Sequence, residues 1–109
     1  GISNGGNISL YIGISHPDQF GCISVQSSNV MPEIFEMLHK SSTKESVFYL
    51  DIGKYDIDVL IPMALSLRNE LDSKSFHFIF REWPEGHSWC NWREHLTIPL
   101  KLFFGTQGN

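Results

Sequence analysis

Apolar positions along this chain follow two rhythms, one of strands and one of helices. Residues 46–51 are the clearest strand: Val47, Phe48, Tyr49 and Leu50 are strong β-formers, and Gly53 closes the run. Residues 76–81 carry Phe76, Phe78 and Phe80 at alternate positions, as a strand does. Residues 21–26 are a shorter β-type run that ends in the polar cluster Ser27, Ser28 and Asn29. Between these runs the period changes. Leu60, Ala64, Leu67 and Leu71 recur at i, i+4, i+7 and i+11, which is one face of a helix with Pro62 near its start. Ile34, Phe35 and Leu38 mark a shorter helix reaching about His39, with Pro32 at its first position and Glu33 in its first turn.

Two stretches are less plain. In residues 7–15, Ile8, Leu10, Ile12 and Ile14 alternate like a strand, while Ile8, Tyr11, Ile12 and Ser15 fit one helical face. The residues just upstream decide for a helix, which Pro17 stops. A last helix is expected from Trp89, with Ser88 as N-cap and a stripe of Trp89, Trp92, Leu96, Leu100 and Phe103. Pro99 should kink it or end its first half. Residues 41–44 and 82–88 read as loops, and 105–109 as a frayed tail.

The upstream residues are Gly1-Ile2-Ser3-Asn4-Gly5-Gly6. They spell Gly-x-Ser-x-Gly, the pattern that sets a serine on a sharp strand-to-helix turn. The whole is then turn, helix, strand, helix, strand, helix, strand, helix. Such alternation predicts an α/β layer architecture with parallel strands and right-handed crossovers.

Functional groups in parallel α/β sheets gather at the carboxyl ends of strands. Three such loops can be read here, holding Ser3, then Asp51, Asp56 and Asp58, then His87. A serine needs a base to take its proton and a third group to orient that base. Ser, Asp, His is the chain order of α/β-hydrolase triads, with one strand between successive members. Ser3 is the expected nucleophile, His87 the base and Asp56 the favoured acid, with Asp51 at the strand end and Asp58 at the helix as alternatives. The N–H of Asn4, next after the nucleophile, is the expected oxyanion-hole donor. Gly5 and Gly6 would let helix and strand approach closely. His16, His39, His77 and His95 read as helix-end, strand or surface residues with no evident partner. Trp83, Trp89 and Trp92 flank His87; their first reading is packing of the last helix, and Trp83 or Trp89 could wall an acyl or alcohol pocket. Arg93 could pair with Glu82 or Glu85.

Composition narrows the partners. With 8 Lys and Arg against 12 Asp and Glu, and no basic run, a nucleic-acid surface is not expected. No apolar run approaches membrane-spanning length. Cys22 and Cys90 are too few for a disulfide framework and lack metal-ligand spacing; they could form one bridge or be two ordinary buried thiols, and free thiols are the favoured expectation. No metal or cofactor is expected, and the compartment is left open, leaning to the cytoplasm.

The segments Gly1 to Gly6, His16-Pro17-Asp18-x-Phe20-Gly21 and Gln26-Ser27-Ser28 resemble the serine-turn region of the esterase D and enterochelin-esterase-like α/β-hydrolases. Tyr49-Leu50-Asp51-Ile52-Gly53 and Glu85-Gly86-His87-Ser88-Trp89-x-x-Trp92-Arg93 are similar to that family's acid and histidine segments. The resemblance implies a serine carboxylic-ester hydrolase with Ser3, Asp56 and His87 as triad. Its substrates would be siderophore lactones, simple acyl esters, or feruloyl or acetyl esters on polysaccharides. Family members carry several strands before the serine turn. Residues 1–109 are therefore expected to be a partial domain, the C-terminal half of the fold, starting at the nucleophile turn. It would be completed by an N-terminal half or a homo-oligomeric partner, or be a non-catalytic remnant.

Overall fold

The computed structural model describes residues 1–41 and 45–105; parts of the expected polar loop (42–44) and tail (106–109) lie outside the described residues. Among the described residues, five helices and three strands follow in the order α1 (Asn4–Ser15), β1 (Cys22–Gln26), α2 (Pro32–Lys40), β2 (Val47–Gly53), α3 (Leu60–Ser73), β3 (His77–Trp83), α4 (Trp89–His95) and α5 (Thr97–Phe104). The strands form one parallel sheet in the order β1-β2-β3. Gln26 pairs with Asp51, and Asp51 with Arg81, so the three strand ends lie side by side. Parallel neighbours need crossovers, and α2 and α3 supply them.

Strand alternation gives the sheet two unlike faces. Ile23, Val25, Phe48 and Leu50 join Leu10 of α1, Ile34 and Leu38 of α2, and Leu67 and Leu71 of α3 in one buried core. The stripe predicted for α3 is buried throughout. On β2 the residues of opposite parity, Tyr49 and Asp51, are buried too. Beside them Trp83 and Gln26 meet α4, through the His95 ring and the Trp92 carbonyl.

The expected helix over residues 7–15 forms, but its buried face is Gly6, Leu10 and Gly13, not Ile8, Tyr11, Ile12 and Ser15. The glycines let α1 sit close on the sheet. A Cβ on Gly6 would overlap Ser28 Oγ. Gly5 has open space around its Cβ position, so of the two turn glycines only Gly6 is needed for close approach.

Other expectations are corrected. β3 runs on to Trp83, so Glu82 and Trp83 belong to the strand, and Asp51 lies inside β2. The last helix is two helices, divided at Leu96, and Pro99 stands in the first turn of α5, where its missing N–H costs no helical bond. That break disperses the predicted stripe: Trp92 is buried, whereas Trp89, Leu96 and Leu100 are exposed. Cys22 and Cys90 are free, but exposed rather than buried.

Candidate active site

The turn at Ser3 is built by hydrogen bonds on both sides. Gly1 and Ile2 lie beside β1 as a short parallel bridge: Gln26 N–H donates to the Gly1 carbonyl at 3.0 Å, and Ser3 N–H donates to the Gln26 carbonyl at 2.9 Å. One residue later the chain is helical, with Gly6 N–H donating to the Ser3 carbonyl at 2.9 Å. Ser3 takes φ 55° and ψ −127° to make the change. A side chain rarely adopts that conformation, and such strain persists where its surroundings over-determine it. The Ser3 hydroxyl does not cap α1. Asn4 opens α1, and the N–H groups of a first helical turn have no acceptor within the helix.

The second loop follows β2. Asp56 N–H donates to the Gly53 carbonyl at 3.1 Å, closing a turn that buries the Asp56 side chain completely. Its Oδ1 accepts from Ile57 N–H at 2.7 Å and stands 2.8 Å from His87 Nδ1. Its Oδ2 accepts from Ser27 Oγ at 2.6 Å.

The third loop is fastened to the second. Lys54 N–H donates to the Trp83 carbonyl at 2.7 Å and Tyr55 N–H to the Glu85 carbonyl at 3.1 Å. Gly53 is required for this fit, because a Cβ there would overlap the Glu85 carbonyl. Asn91 Nδ2 donates to the Gly86 carbonyl at 3.1 Å, and Ser88 Oγ caps α4 as expected by accepting from Asn91 N–H at 3.3 Å. His87 is thus held with Nδ1 toward a buried carboxylate. An imidazole with Nδ1–H donated to a carboxylate presents the Nε2 lone pair as its basic site.

Of the three candidate acids, Asp56 is the one that meets His87. Asp51 faces a separate network: its Oδ2 accepts from Tyr49 Oη at 2.8 Å, Trp83 Nε1 at 3.2 Å and Gln26 Nε2 at 3.3 Å, while Oδ1 is buried without a hydrogen bond among the described residues. Burial raises the Asp51 carboxyl above its ordinary range, against the pull of those three donors. Burial first, and then the neighbouring Asp51 charge, push the Tyr49 hydroxyl up. Asp58 is exposed. Ser3 Oγ makes no hydrogen bond to His87.

The tryptophans divide. Trp83 is committed to packing, its Nε1 on Asp51 and its ring stacked on His95 at 3.8 Å. Trp89 is 74 % exposed and meets Trp92 edge-on at 5.2 Å. With Ile2, Gln26, Trp92 and Arg93 it lines a cavity of about 440 Å³, which Ser3 itself does not line. His95 is not the solvated histidine expected: Asn91 engages its Nδ1 through the backbone carbonyl and Oδ1, at 2.9 and 2.8 Å. Glu85 faces His95 at 3.8 Å. Glu85, Glu94 and His95 hold potential ligand atoms within 4.8 Å of one another, although His95 Nδ1 is already engaged by Asn91. Ser27 and Trp92 escaped the sequence reading as site residues. The signals for them were the serine pair closing the β1 run and an indole five residues after the histidine.

No protein-family model matches the sequence, and no curated protein sequence matches it. Solved structures do. A ferulic acid esterase superposes with a TM-score of 0.78 at 17 % identity, over 92 % of this chain and 48 % of its own. An S-formylglutathione hydrolase from Staphylococcus aureus, solved as the apoenzyme, gives 0.77 at 16 % identity, over 96 % of this chain and 49 % of its own. The chain spans about half the length of these structures, and over that span it has their α/β-hydrolase fold.

Proposed function

We propose that this chain carries the catalytic groups of a serine ester hydrolase. The observation that carries the reading is the strained turn at Ser3 beside β1 together with the Asp56–His87 pair, its carboxylate fully buried, in the loops that follow β2 and β3 of one parallel sheet. In this mechanism His87 Nε2 takes the Ser3 proton as Oγ attacks the acyl carbonyl, and the acyl–Ser3 ester forms. The proton then passes to the leaving alcohol, and water repeats the sequence to release the acid. Asp56 holds the imidazole tautomer and stabilises the imidazolium. Asn4 N–H faces the developing oxyanion at the start of α1, where the helix dipole favours negative charge.

For the acyl group we favour a neutral aryl or simple acyl ester. The likeness to a ferulic acid esterase supports this, as does the acidic charge balance, which suits a trianionic siderophore poorly. The Trp89–Trp92 cavity is the proposed place for an apolar portion of the substrate. Trp83, held by Asp51 and His95, is withdrawn from that role in this reading.

A second reading has the same triad competent only with a further segment or a second copy. It is favoured by an open cavity of about 420 Å³ beside β1, lined by Ile12, Phe20, Phe103 and Phe104 among others. Hydrolysis of p-nitrophenyl acetate and methyl ferulate tests the proposal. Release that disappears in both Ser3→Ala and His87→Ala supports it; release equal in the two variants and the parent overturns it.

A further inference from the structure

At the end of β1 the chain passes through Ser27 with φ 50°, in the left-handed region that residues bearing a Cβ avoid. Ser27 is fully buried, and its N–H donates to the Asp51 carbonyl at 3.0 Å. This backbone places Oγ between two partners, Asp56 Oδ2 at 2.6 Å and Trp92 Nε1 at 2.9 Å. The direction of the bonds follows from chemistry. An indole N–H can only donate, so the Ser27 oxygen accepts from Trp92 and its own proton goes to Asp56.

Asp56 therefore has donors on both oxygens: His87 Nδ1 and Ile57 N–H on Oδ1, and the Ser27 hydroxyl on Oδ2. A carboxylate held at both ends cannot rotate about its Cβ–Cγ bond without breaking a charge-assisted bond. Trp92 also meets His87 directly, its ring standing edge-on to the imidazole at 4.8 Å.

We propose that Ser27 is a positioning residue for the Asp56–His87 pair, with Trp92 orienting its hydroxyl. The inference rests on the reading of that pair as catalytic acid and base. Ser27 reaches the reaction only through Asp56, by keeping Oδ1 turned toward His87 Nδ1.

The test uses Ser27→Gly, Ser27→Ala and Trp92→Phe. Glycine adopts the left-handed backbone freely, so Ser27→Gly removes the hydroxyl while relieving strain. Proton NMR of ¹⁵N-histidine-labelled protein reads the His87 Nδ1–H directly, and labelling of Ser3 by a fluorophosphonate reads reactivity. In both Ser27 variants the Nδ1–H signal is expected to broaden or vanish, with labelling slowed roughly ten- to a hundred-fold. Trp92→Phe keeps an aromatic ring, loses the donor, and should move both readouts the same way by less. If the Ser27 variants fail to fold, Trp92→Phe carries the test. An unchanged Nδ1–H signal and labelling rate in folded Ser27→Gly, or in Trp92→Phe where that variant carries the test, overturns the proposal. Should the signal respond to Ser27 while the unsubstituted protein never labels at Ser3, the positioning stands and the hydrolase reading falls.

Discussion

Asp56→Asn separates two things an acid does for a histidine: it supplies negative charge, and it selects a tautomer. In some triads the amide turns its NH₂ toward the imidazole and the wrong tautomer results, at a cost of about 10⁴ in rate. The surroundings of Asp56 argue for a milder outcome. Ile57 N–H lies 2.7 Å from Oδ1, the same oxygen that meets His87, and a backbone donor demands a carbonyl oxygen there. The NH₂ would take the Oδ2 position against Ser27 Oγ, whose hydroxyl can accept and reorient its own proton. The substituted amide would thus still accept from Nδ1–H, and only the charge is lost. Two unit charges about 4 Å apart at an effective dielectric of about 20 interact by about 4 kcal/mol, or about a thousandfold in rate. The His87 side chain is 24 % exposed, and screening brings the expectation to about a hundredfold. Asp56→Ala, which loses charge, acceptor and packing together, should fall at least tenfold further. The assay is the second-order rate of fluorophosphonate labelling at neutral pH, with folding of each variant checked by circular dichroism. Equal losses in the two variants would refute the reasoning about Ile57, and a loss under tenfold in Asp56→Ala would refute the role of the acid.

Three further outcomes test the scaffold. Gly53→Ala should force the acid and histidine loops apart, because its Cβ meets the Glu85 carbonyl; a destabilisation of about 1–3 kcal/mol in urea melts is expected, with labelling lost out of proportion. Leu67→Ala, emptying a core position 1 % exposed, should cost about 2–5 kcal/mol in the same melts. Asp51→Asn should flatten the acid side of the stability profile. The folded protein holds the Asp51 proton more tightly than the unfolded chain, whose carboxyl titrates at its ordinary value of 3.8, so the parent loses stability as pH rises through the window above that value. Relative to the parent, Asp51→Asn should gain stability as pH rises above the ordinary carboxyl value of 3.8; a difference that stays constant as pH rises would contradict it.

Much of this architecture was legible in the residues because it is local. The α3 stripe, the β-formers of β2 and the serine turn each arise from a few neighbouring positions. Residues 7–15 are helical despite their alternating pattern because a serine turn of this kind leads directly into a helix. Of its buried face only Gly6 was readable, from the turn motif; Gly13 carries no hydrophobic signal and contributes by absence of bulk. A break near Pro99 was legible, since proline disfavours an unbroken helix, but its place at Leu96 and the exposure of Trp89 were not. Most hidden was the partition of the aspartates. Asp51 and Asp56 are five residues apart, yet strand pairing gives one to Tyr49, Trp83 and Gln26 and a turn gives the other to His87. Ser27 and Trp92 lie 65 positions apart, and only the closed fold brings them together beside one carboxylate.

The central claim is that Ser3 is a nucleophile. Its most direct test is peptide mapping by mass spectrometry after exposure to a fluorophosphonate, with Ser3→Ala and His87→Ala alongside. If Ser3 is the nucleophile, one adduct per chain is expected, on Ser3, absent in Ser3→Ala and slowed by orders of magnitude in His87→Ala. An adduct on another serine, or labelling of Ser3 indifferent to His87, would contradict it.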